Sequence, residues 1–306
     1  MGFPEINSDD PSNNSFPGPA LTGPHALERT QPVLLVIAGM LVGKLFPLDK
    51  KPWVTIGCAE DCDIRFMQAD ISPRHARLEL NEGNAVITDL GTINGTYVDG
   101  IAVSRHGLAD GAIIQIGSID ILKFTYINQL ERSFYSNQYR KTVYDDLTGV
   151  FNRRYFLMAL GQELAYAHRH SQTAALILID IDHFKRINDG QGHLVGDTVL
   201  RRIVSVIQKN LRKENILARY GGEEFGIILR GEDAWEAHGV ADRIRCSVGQ
   251  TGFDHGGKSF HITISAGIAI HDREHAPGGA LEIFTEADKQ LYRAKAAGGN
   301  HVSGNQ

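Results

Sequence analysis

The chain is poor in the features that mark several protein classes. Three cysteines, Cys58, Cys62 and Cys246, among 306 residues are too few and too uneven for a disulfide framework, and point to reduced thiols in the cytoplasm. Cys58 and Cys62 have no further Cys or His at zinc spacing, so they read as structural. A basic excess is absent: 31 Lys and Arg against 36 Asp and Glu give a formal net charge of −5. That offers no electrostatic footprint for nucleic acid or an anionic membrane. No basic segment followed by an apolar core opens the chain, so no signal peptide is expected. The longest apolar stretch near the N-terminus, Val33 to Leu41, is too short to span a bilayer and is broken by Gly39. A cytoplasmic protein with neither membrane nor nucleic-acid partners is expected.

The length suffices for two domains with proper cores. Residues 1–31 are rich in Pro, Gly, Ser and Asn and low in large apolar residues, so burial cannot offset their ordering entropy and a disordered tail is expected. Residues 32–126 read as short strands with Gly, Asp and Asn punctuation, among them Trp53–Gly57, Ala76–Leu80, Ala85–Thr88, Gly95–Val98 and Ile113–Ile116. No helix-period segment interrupts them, which predicts an all-β sandwich. Residues 127–144 lack Gly and Pro, and Ile127, Leu130, Phe134 and Tyr144 recur at near-helical steps. This predicts an amphipathic linker helix, either a short dimeric coiled coil or a helix packed on its own domain. From 145 to 303, helices (152–170, 194–211, 234–248, 279–297) alternate with strands (174–182, 216–218, 225–229, 260–269). That gives an α/β (α+β) domain.

The chemistry concentrates in this last region. Ile216–Ala218 and Phe225–Leu229 flank Arg219-Tyr220-Gly221-Gly222-Glu223-Glu224, which reads as a β-hairpin with paired carboxylates at a Gly-Gly turn. Taken alone, this is either a solvated hairpin or a set of hard oxygen ligands where a backbone can also approach a ligand closely. A second acidic site weighs toward the ligands. The apolar run Ala174–Ile179 ends in Asp180-Ile181-Asp182, and carboxylates at the end of a buried strand are costly unless paired or metal-bound. Asp180 with Glu223 could hold Mg²⁺, which takes one or two carboxylates plus substrate phosphates. Asp182 could instead pair with Arg219.

Several motifs fall in one order here: Asp145-Asp146-Leu147-Thr148-Gly149-Val150-Phe151-Asn152-Arg153-Arg154, Asp180 through Asp189, Gly192-His193-Leu194-Val195-Gly196-Asp197, the Gly-Gly-Glu-Glu-Phe hairpin, and Ala287-Asp288 through Lys295. Together they resemble the GGDEF domain family over roughly residues 140–303, and the resemblance implies a nucleotide-cyclase-like fold with a mainly antiparallel sheet. The resemblance implies a diguanylate cyclase, a nucleotidyltransferase that condenses two GTP to cyclic di-GMP and pyrophosphate as a two-fold homodimer. It implies two Mg²⁺ (or Mn²⁺) ions per site, held by Asp180, the Ile181 carbonyl and Glu223, with Glu224 nearby and Glu223 also assisting deprotonation of the attacking hydroxyl. Guanine would be read by Asn188 and Asp197 with His193 close by, since a carboxylate suits the guanine N1–H and N2–H₂ donors. Phosphates would meet Lys185, Lys295 and the His183 and Phe184 amides, while Gly221 and Gly222 let the backbone approach. Two departures stand out. Gly299 occupies a position where the family usually has a phosphate-contacting Arg, which implies weaker GTP binding or lower turnover. The product-inhibition motif, Arg-x-x-Asp in the family, is Arg212-Lys213-Glu214-Asn215 here, which implies weak product inhibition.

Within the sandwich, Ile56-Gly57, Ser72-Pro73-Arg74-His75, Asp89-Leu90-Gly91, Asn94-Gly95 and Ile116-Gly117 resemble the forkhead-associated (FHA) domain family. The resemblance implies a phosphothreonine-peptide site in which Ser72 and Arg74 contact phosphate and Asn94 fixes the peptide backbone, with Gly57 and His75 structural. The chain departs at Cys58, where the family normally has Arg, and at Ile93, usually polar or basic. Losing one guanidinium from a dianion site forfeits about 1.5–3 kcal/mol, so a phosphate-independent protein interface stays open as the other outcome. Thr22 and Thr30 are candidate phosphosites for docking into such a domain. From a different class, the alternative to an FHA-regulated cyclase is an inactive nucleotide receptor or scaffold. It would be expected to keep the product-binding motif and lose the hairpin, the reverse of the pattern here.

Overall fold

The computed structural model describes residues 30–304, except residues 40, 49–50, 60, 67, 69, 82, 256 and 273–278. Thr22 and nearly all of the tail expected over residues 1–31 lie outside the described residues; Thr30 is exposed.

Short alternating segments build the first unit: β1 (Gln31–Ala38), β2 (Leu45–Pro47), β3 (Trp53–Gly57), β4 (Ile64–Arg65), β5 (Ala76–Asn81), β6 (Asn84–Asp89), β7 (Thr96–Val98), β8 (Ile101–Val103), β9 (Arg105–Leu108), β10 (Ile113–Ile116) and β11 (Asp120–Ile127). They form two sheets, ordered β2-β1-β11-β10-β7-β8 and β4-β3-β5-β6-β9. Every second residue points inward, so Leu34, Val36, Ile56, Leu78, Ile87, Ile114, Leu122 and Phe124 close a single apolar layer between the sheets. Strands β2, β4, β8 and β9 have only two to four residues each, too few to print an alternation in the sequence.

The second unit runs α1 (Gln129–Val143), β12 (Phe151–Asn152), α2 (Arg153–His170), β13 (Ala174–Ile181), α3 (Phe184–Gln191), α4 (His193–Lys209), β14 (Ile216–Arg219), β15 (Glu224–Arg230), α5 (Ala234–Gly249), β16 (Gly252–His255), β17 (Lys258–His261), β18 (Ile264–His271), α6 (Ala280–Ala296) and β19 (Val302–Gly304). Its main sheet has the order β12-β14-β15-β13-β18-β19. β13 is antiparallel to both neighbours, and parallel pairs occur only at the two edges, β12 with β14 and β18 with β19. Helices cover both faces. Odd-numbered residues of β13, Ala175, Ile177, Ile179 and Ile181, pack with Val199 and Ile203 of α4 and Ala241 and Ile244 of α5. Even-numbered Leu176 and Leu178 pack with Phe156 and Leu160 of α2 and Ala287 and Leu291 of α6. Asp180 continues the even series, so the face covered by α6 is the face on which the buried carboxylate ends up.

Three expectations change. Ile127 closes β11 instead of opening the helix, because Asn128 and Glu131 form a reciprocal capping box with both backbone–side chain bonds at 2.9 Å. Tyr144 caps the other end of α1 in extended conformation. The single strand expected over 260–269 is two, β17 and β18, because β17 turns away to pair with β16 as a separate hairpin. On α1, Leu130 and Phe134 are exposed, while Arg132 donates to the Gln31 side chain at 2.9 Å and a Cβ on Gly43 would meet the Tyr139 ring at 3.8 Å. One side of α1 therefore rests on the sandwich.

The chain then passes directly into the support of the β14–β15 hairpin. The Asp145 carboxylate accepts from the Thr148 amide at 2.9 Å and hydroxyl at 2.6 Å, and both its oxygens lie 3.2 Å from Arg219 Nη1. The same guanidinium donates to the Gly222 carbonyl from Nη2 at 2.7 Å and from Nε at 3.1 Å. Arg219 thus ties the junction after α1 to the turn that carries Glu223, and its partner is Asp145, not the Asp182 considered from the sequence. Burial of the Asp145 carboxyl works against ionisation, but the Thr148 hydrogen bonds and the Arg219 charge outweigh it and hold the group below the ordinary Asp range.

A Cβ on Gly267 would sit 2.1 Å from Leu291 N and 2.2 Å from Ala287 O, backbone atoms of α6 that cannot swing aside. Gly267→Ala should therefore cost about 2–3 kcal/mol in urea unfolding, the upper part of the overpacking range; an unchanged midpoint would mean that α6 does not pack this closely. For Asp145, the depressed carboxyl contributes stability above its unfolded pKa of about 3.9, and that contribution is lost as pH falls through the lower folded value. The melting-temperature gap between wild type and Asp145→Asn should be largest near neutral pH and shrink steadily below pH 4.

Candidate active site

Asp180 lies at the end of β13 with 6% of its surface exposed, where the apolar strand delivers it to the mouth of the sheet. Lys295 Nζ, from the last turn of α6, reaches its Oδ2 at 2.8 Å. Burial pushes the Asp180 carboxyl up, Lys295 pulls it down, and the charge of Asp182 adds to the rise. Glu223 sits in the turn between β14 and β15, and its carbonyl accepts from the Ile181 amide at 3.4 Å. Its carboxyl is raised by burial and by the charge of Asp180, with Lys295 opposing. The ladder register sets Glu224, not Glu223, directly opposite Asp180, and the Glu224 carboxylate folds back toward Gly221, whose absent Cβ would fall 2.1 Å from Oε2.

Carboxylates whose charges burial and mutual repulsion disfavour, beside one exposed-side lysine, form a donor set of the kind a divalent cation relieves. Among the described residues no group of three or more His, Cys, Asp or Glu side chains gathers as a complete metal cage. That accords with the chemistry of Mg²⁺, for which substrate phosphates and water complete the shell. The side-chain donors that fit are Asp180 and Glu223, with Glu224 adjacent.

Asp182 has a different part. It accepts from the Thr263 hydroxyl, the Ser265 hydroxyl and the Asn300 amide, each at 2.7 Å. These bonds join the ends of β13 and β18 to the turn after α6, and so hold the helix that delivers Lys295. Gly299 in that turn has φ 77°, and a Cβ there would lie 3.1 Å from the Asp182 carboxylate. An arginine at 299 would strain the turn, so Gly299→Arg does not isolate the loss of a phosphate contact.

The remaining nucleotide-site candidates gather on α3 and α4. Asn188 on α3 turns its carboxamide toward α4, with Oδ1 2.0 Å from where a Gly196 Cβ would stand, and the half-buried Asp197 follows on the same helix. His183 takes a left-handed φ of 57° at the N-cap of α3, where no side chain caps the helix. Phe184 is buried, while Lys185 and His193 are exposed. Gly222 has nothing within 4 Å of a Cβ position, which leaves the turn open to an approaching ligand. Arg212 is engaged elsewhere: its Nη1 lies 3.2 Å from the buried Glu232 carboxylate, and Asn215 Oδ1 accepts from the Arg212 amide at 2.8 Å.

At the loop end of the sandwich, His75 is fully buried, with Nε2 3.1 Å from the Gly95 carbonyl and Nδ1 accepting from the Ser72 amide at 3.3 Å. It therefore braces the loops bearing Ser72 and Asn94. Asn94 donates to the Asp70 carbonyl at 2.6 Å. Arg74 is exposed and ion-paired with Asp61. Sequence reasoning missed Asp61, the Asp182 bonds and the Asp145–Arg219 pair, because each joins residues that no local period relates.

A family model described as "Diguanylate cyclase, GGDEF domain" matches residues 142–301, and one described as "FHA domain" matches residues 54–117. Diguanylate cyclase DgcP of Pseudomonas aeruginosa is 40% identical over 178 residues, covering 56% of this chain and 26% of the relative. Response regulator PleD of Caulobacter vibrioides is 37% identical over 186 residues, covering 58% and 40%. The chain thus spans less than half the length of these curated relatives. Among solved structures, the coiled coil and GGDEF domain of DgcB from Caulobacter crescentus, in complex with c-di-GMP, is 31% identical with a TM-score of 0.54 over 57% of this chain and 92% of that one. SiaD of Pseudomonas aeruginosa, in complex with its activator SiaC, is 31% identical with a TM-score of 0.52 over 58% and 67%. With the matched region spanning more than half of its residues, this chain belongs to the GGDEF domain family, and residues 54–117 of its N-terminal sandwich match the FHA domain model.

Proposed function

We propose that this chain is a diguanylate cyclase that condenses two GTP into cyclic di-GMP and pyrophosphate, working as a two-fold homodimer under control of its FHA domain. The observation that carries this reading is the convergence of Asp180, Glu223 and Lys295 at the mouth of the sheet, with Lys295 at 2.8 Å from Asp180. Divalent magnesium or manganese, two ions per site with GTP, would polarise the α-phosphate and offset charge on the leaving pyrophosphate. Asp180, the Ile181 carbonyl and Glu223 would hold the metal, and Glu223, its carboxyl already raised, would accept the proton of the attacking hydroxyl. Lys295, Lys185 and the amides of His183 and Phe184 would take the phosphates, and Asn188 and Asp197 the guanine edge. No described helix is long and apolar enough to cross a membrane. Each site holds one nucleotide, so two copies must face each other, and the FHA domain, joined through α1, can govern that meeting by binding a phosphothreonine peptide or a protein partner.

The test is purified protein with GTP and Mg²⁺, the products separated by chromatography, beside a Glu223→Gln control. Cyclic di-GMP from wild type, with turnover in the variant lower by on the order of 10²-fold or more, is the expected result. No product at protein concentrations where dimers form would overturn the reading and favour a nucleotide receptor. Product inhibition should be weak, because Arg212 is committed to Glu232 and Asn215 lacks a charge. An inhibition constant for cyclic di-GMP below micromolar would contradict this.

A further inference from the structure

The sheet under the Arg74 loop carries a further guanidinium, that of Arg65 on β4. β4 runs parallel to β3 with Ile56 opposite Ile64 and Gly57 opposite Arg65. Residues in register share a face of the sheet: Ile56 and Ile64 both point into the core, so Gly57 and Arg65 both look outward. What covers that outer face is the segment Ser72–Arg74. A Cβ on Gly57 would strike the Pro73 carbonyl at 2.2 Å and come within 3.0 Å of Arg74 Cα. The Cys58 amide donates to the Ser72 carbonyl at 3.1 Å, and the Ala59 amide to the Pro73 carbonyl at 3.0 Å. Arg65 Nε in turn donates to the Cys58 carbonyl at 3.1 Å, which fixes its guanidinium next to Cys58, the residue whose amide holds the Ser72 carbonyl.

Arg74 faces Asp61; Asp63 is taken by Lys51 and Thr55, and Asp70 by Ser118. Asp61 is therefore the described carboxylate that an incoming anion must displace from Arg74. Both partners of that pair are more than half exposed, at 65% and 58% of their side-chain surface, so the exchange costs little. On the same loop end, Ile93 is 97% exposed and Leu90 42%, apolar contacts that suit a peptide and that a free anion could not use.

Resting on the reading of this end as a phosphate-binding surface, the geometry points to Arg65 as a binding residue for a phosphothreonine peptide, supplying with Arg74 the second guanidinium of the site, with Asp61 as an internal competitor. Two planar forks can divide the phosphate's oxygens between them. The residue that follows Gly57 in the chain, Cys58, contributes its carbonyl to orient Arg65 and not a cation of its own. The competitor makes phosphate dependence tunable: an Asp61 carboxylate occupies Arg74 until a dianion outbids it.

The experiment uses the full chain and a degenerate peptide library with a fixed central phosphothreonine, compared with the same library carrying threonine, by fluorescence anisotropy. Melting temperatures establish that each variant is folded. Phosphate-dependent binding should weaken by about tenfold in Arg65→Ala, in line with one charge-assisted bond, and by less in Arg65→Lys, which keeps charge and loses the fork. Asp61→Asn should bind the phosphorylated library several-fold more tightly. Loss of binding in Arg74→Ala with Arg65→Ala within twofold of wild type would overturn the role of Arg65 and leave the phosphopeptide reading standing. No preference for the phosphorylated library in either wild type or Asp61→Asn would overturn both. Inorganic phosphate that binds as tightly as the phosphorylated library would overturn the peptide as ligand.

Discussion

A carboxylate that the fold buries governs the C-terminal domain. Asp180 ends a strand whose other residues are apolar on both faces, and the parity of that strand places it under α6. An isolated carboxylate there would be neutralised or would distort the strand end. Lys295 answers it at 2.8 Å, but only because α6 lies close enough, over the bare backbone of Gly267. The compensation is incomplete, since the Asp180 carboxyl remains raised. A site left short of positive charge in this way is suited to a divalent cation and nucleotide phosphates.

The same economy explains how the hairpin is held. The Gly-Gly turn has no side chains to fix it, so its position depends on Arg219, which grips the Gly222 carbonyl with one edge and Asp145 with the other. Asp145 is the second residue after α1, and α1 rests on the sandwich through Arg132 and Tyr139. A displacement of α1 therefore has a short physical route to the turn bearing Glu223: one capped helix, one tight turn and one guanidinium. Asp182 plays the matching part on the opposite side, where its three accepted bonds fix the turn after α6.

The sandwich solves a different problem with similar means. Its loop end gathers groups from β3, β4 and the segments 70–75 and 91–95, and fully buried His75 braces two of these loops at once. Gly57 lets the 72–74 segment lie directly on the sheet. The result is a firm platform that presents exposed side chains, Ile93 and the Asp61-paired Arg74 among them, at the surface.

Local chemistry made much of this legible in the sequence. Alternation set the core strands of the sandwich, the continuous apolar run set β13, and the order of acidic, glycine and asparagine positions set the family and the candidate ligands Asp180 and Glu223. Signals of that kind repeat over two to four residues, so they are written in the chain itself. The sequence could not name the partners. Arg219 meets Asp145 across 74 positions, Asp182 meets Asn300 across 118, and Arg65 reaches the loop end only because β4 pairs parallel to β3. Such contacts are fixed by strand register, by which helix covers which face and by how closely glycines let backbones approach. Those quantities exist only once the chain has packed.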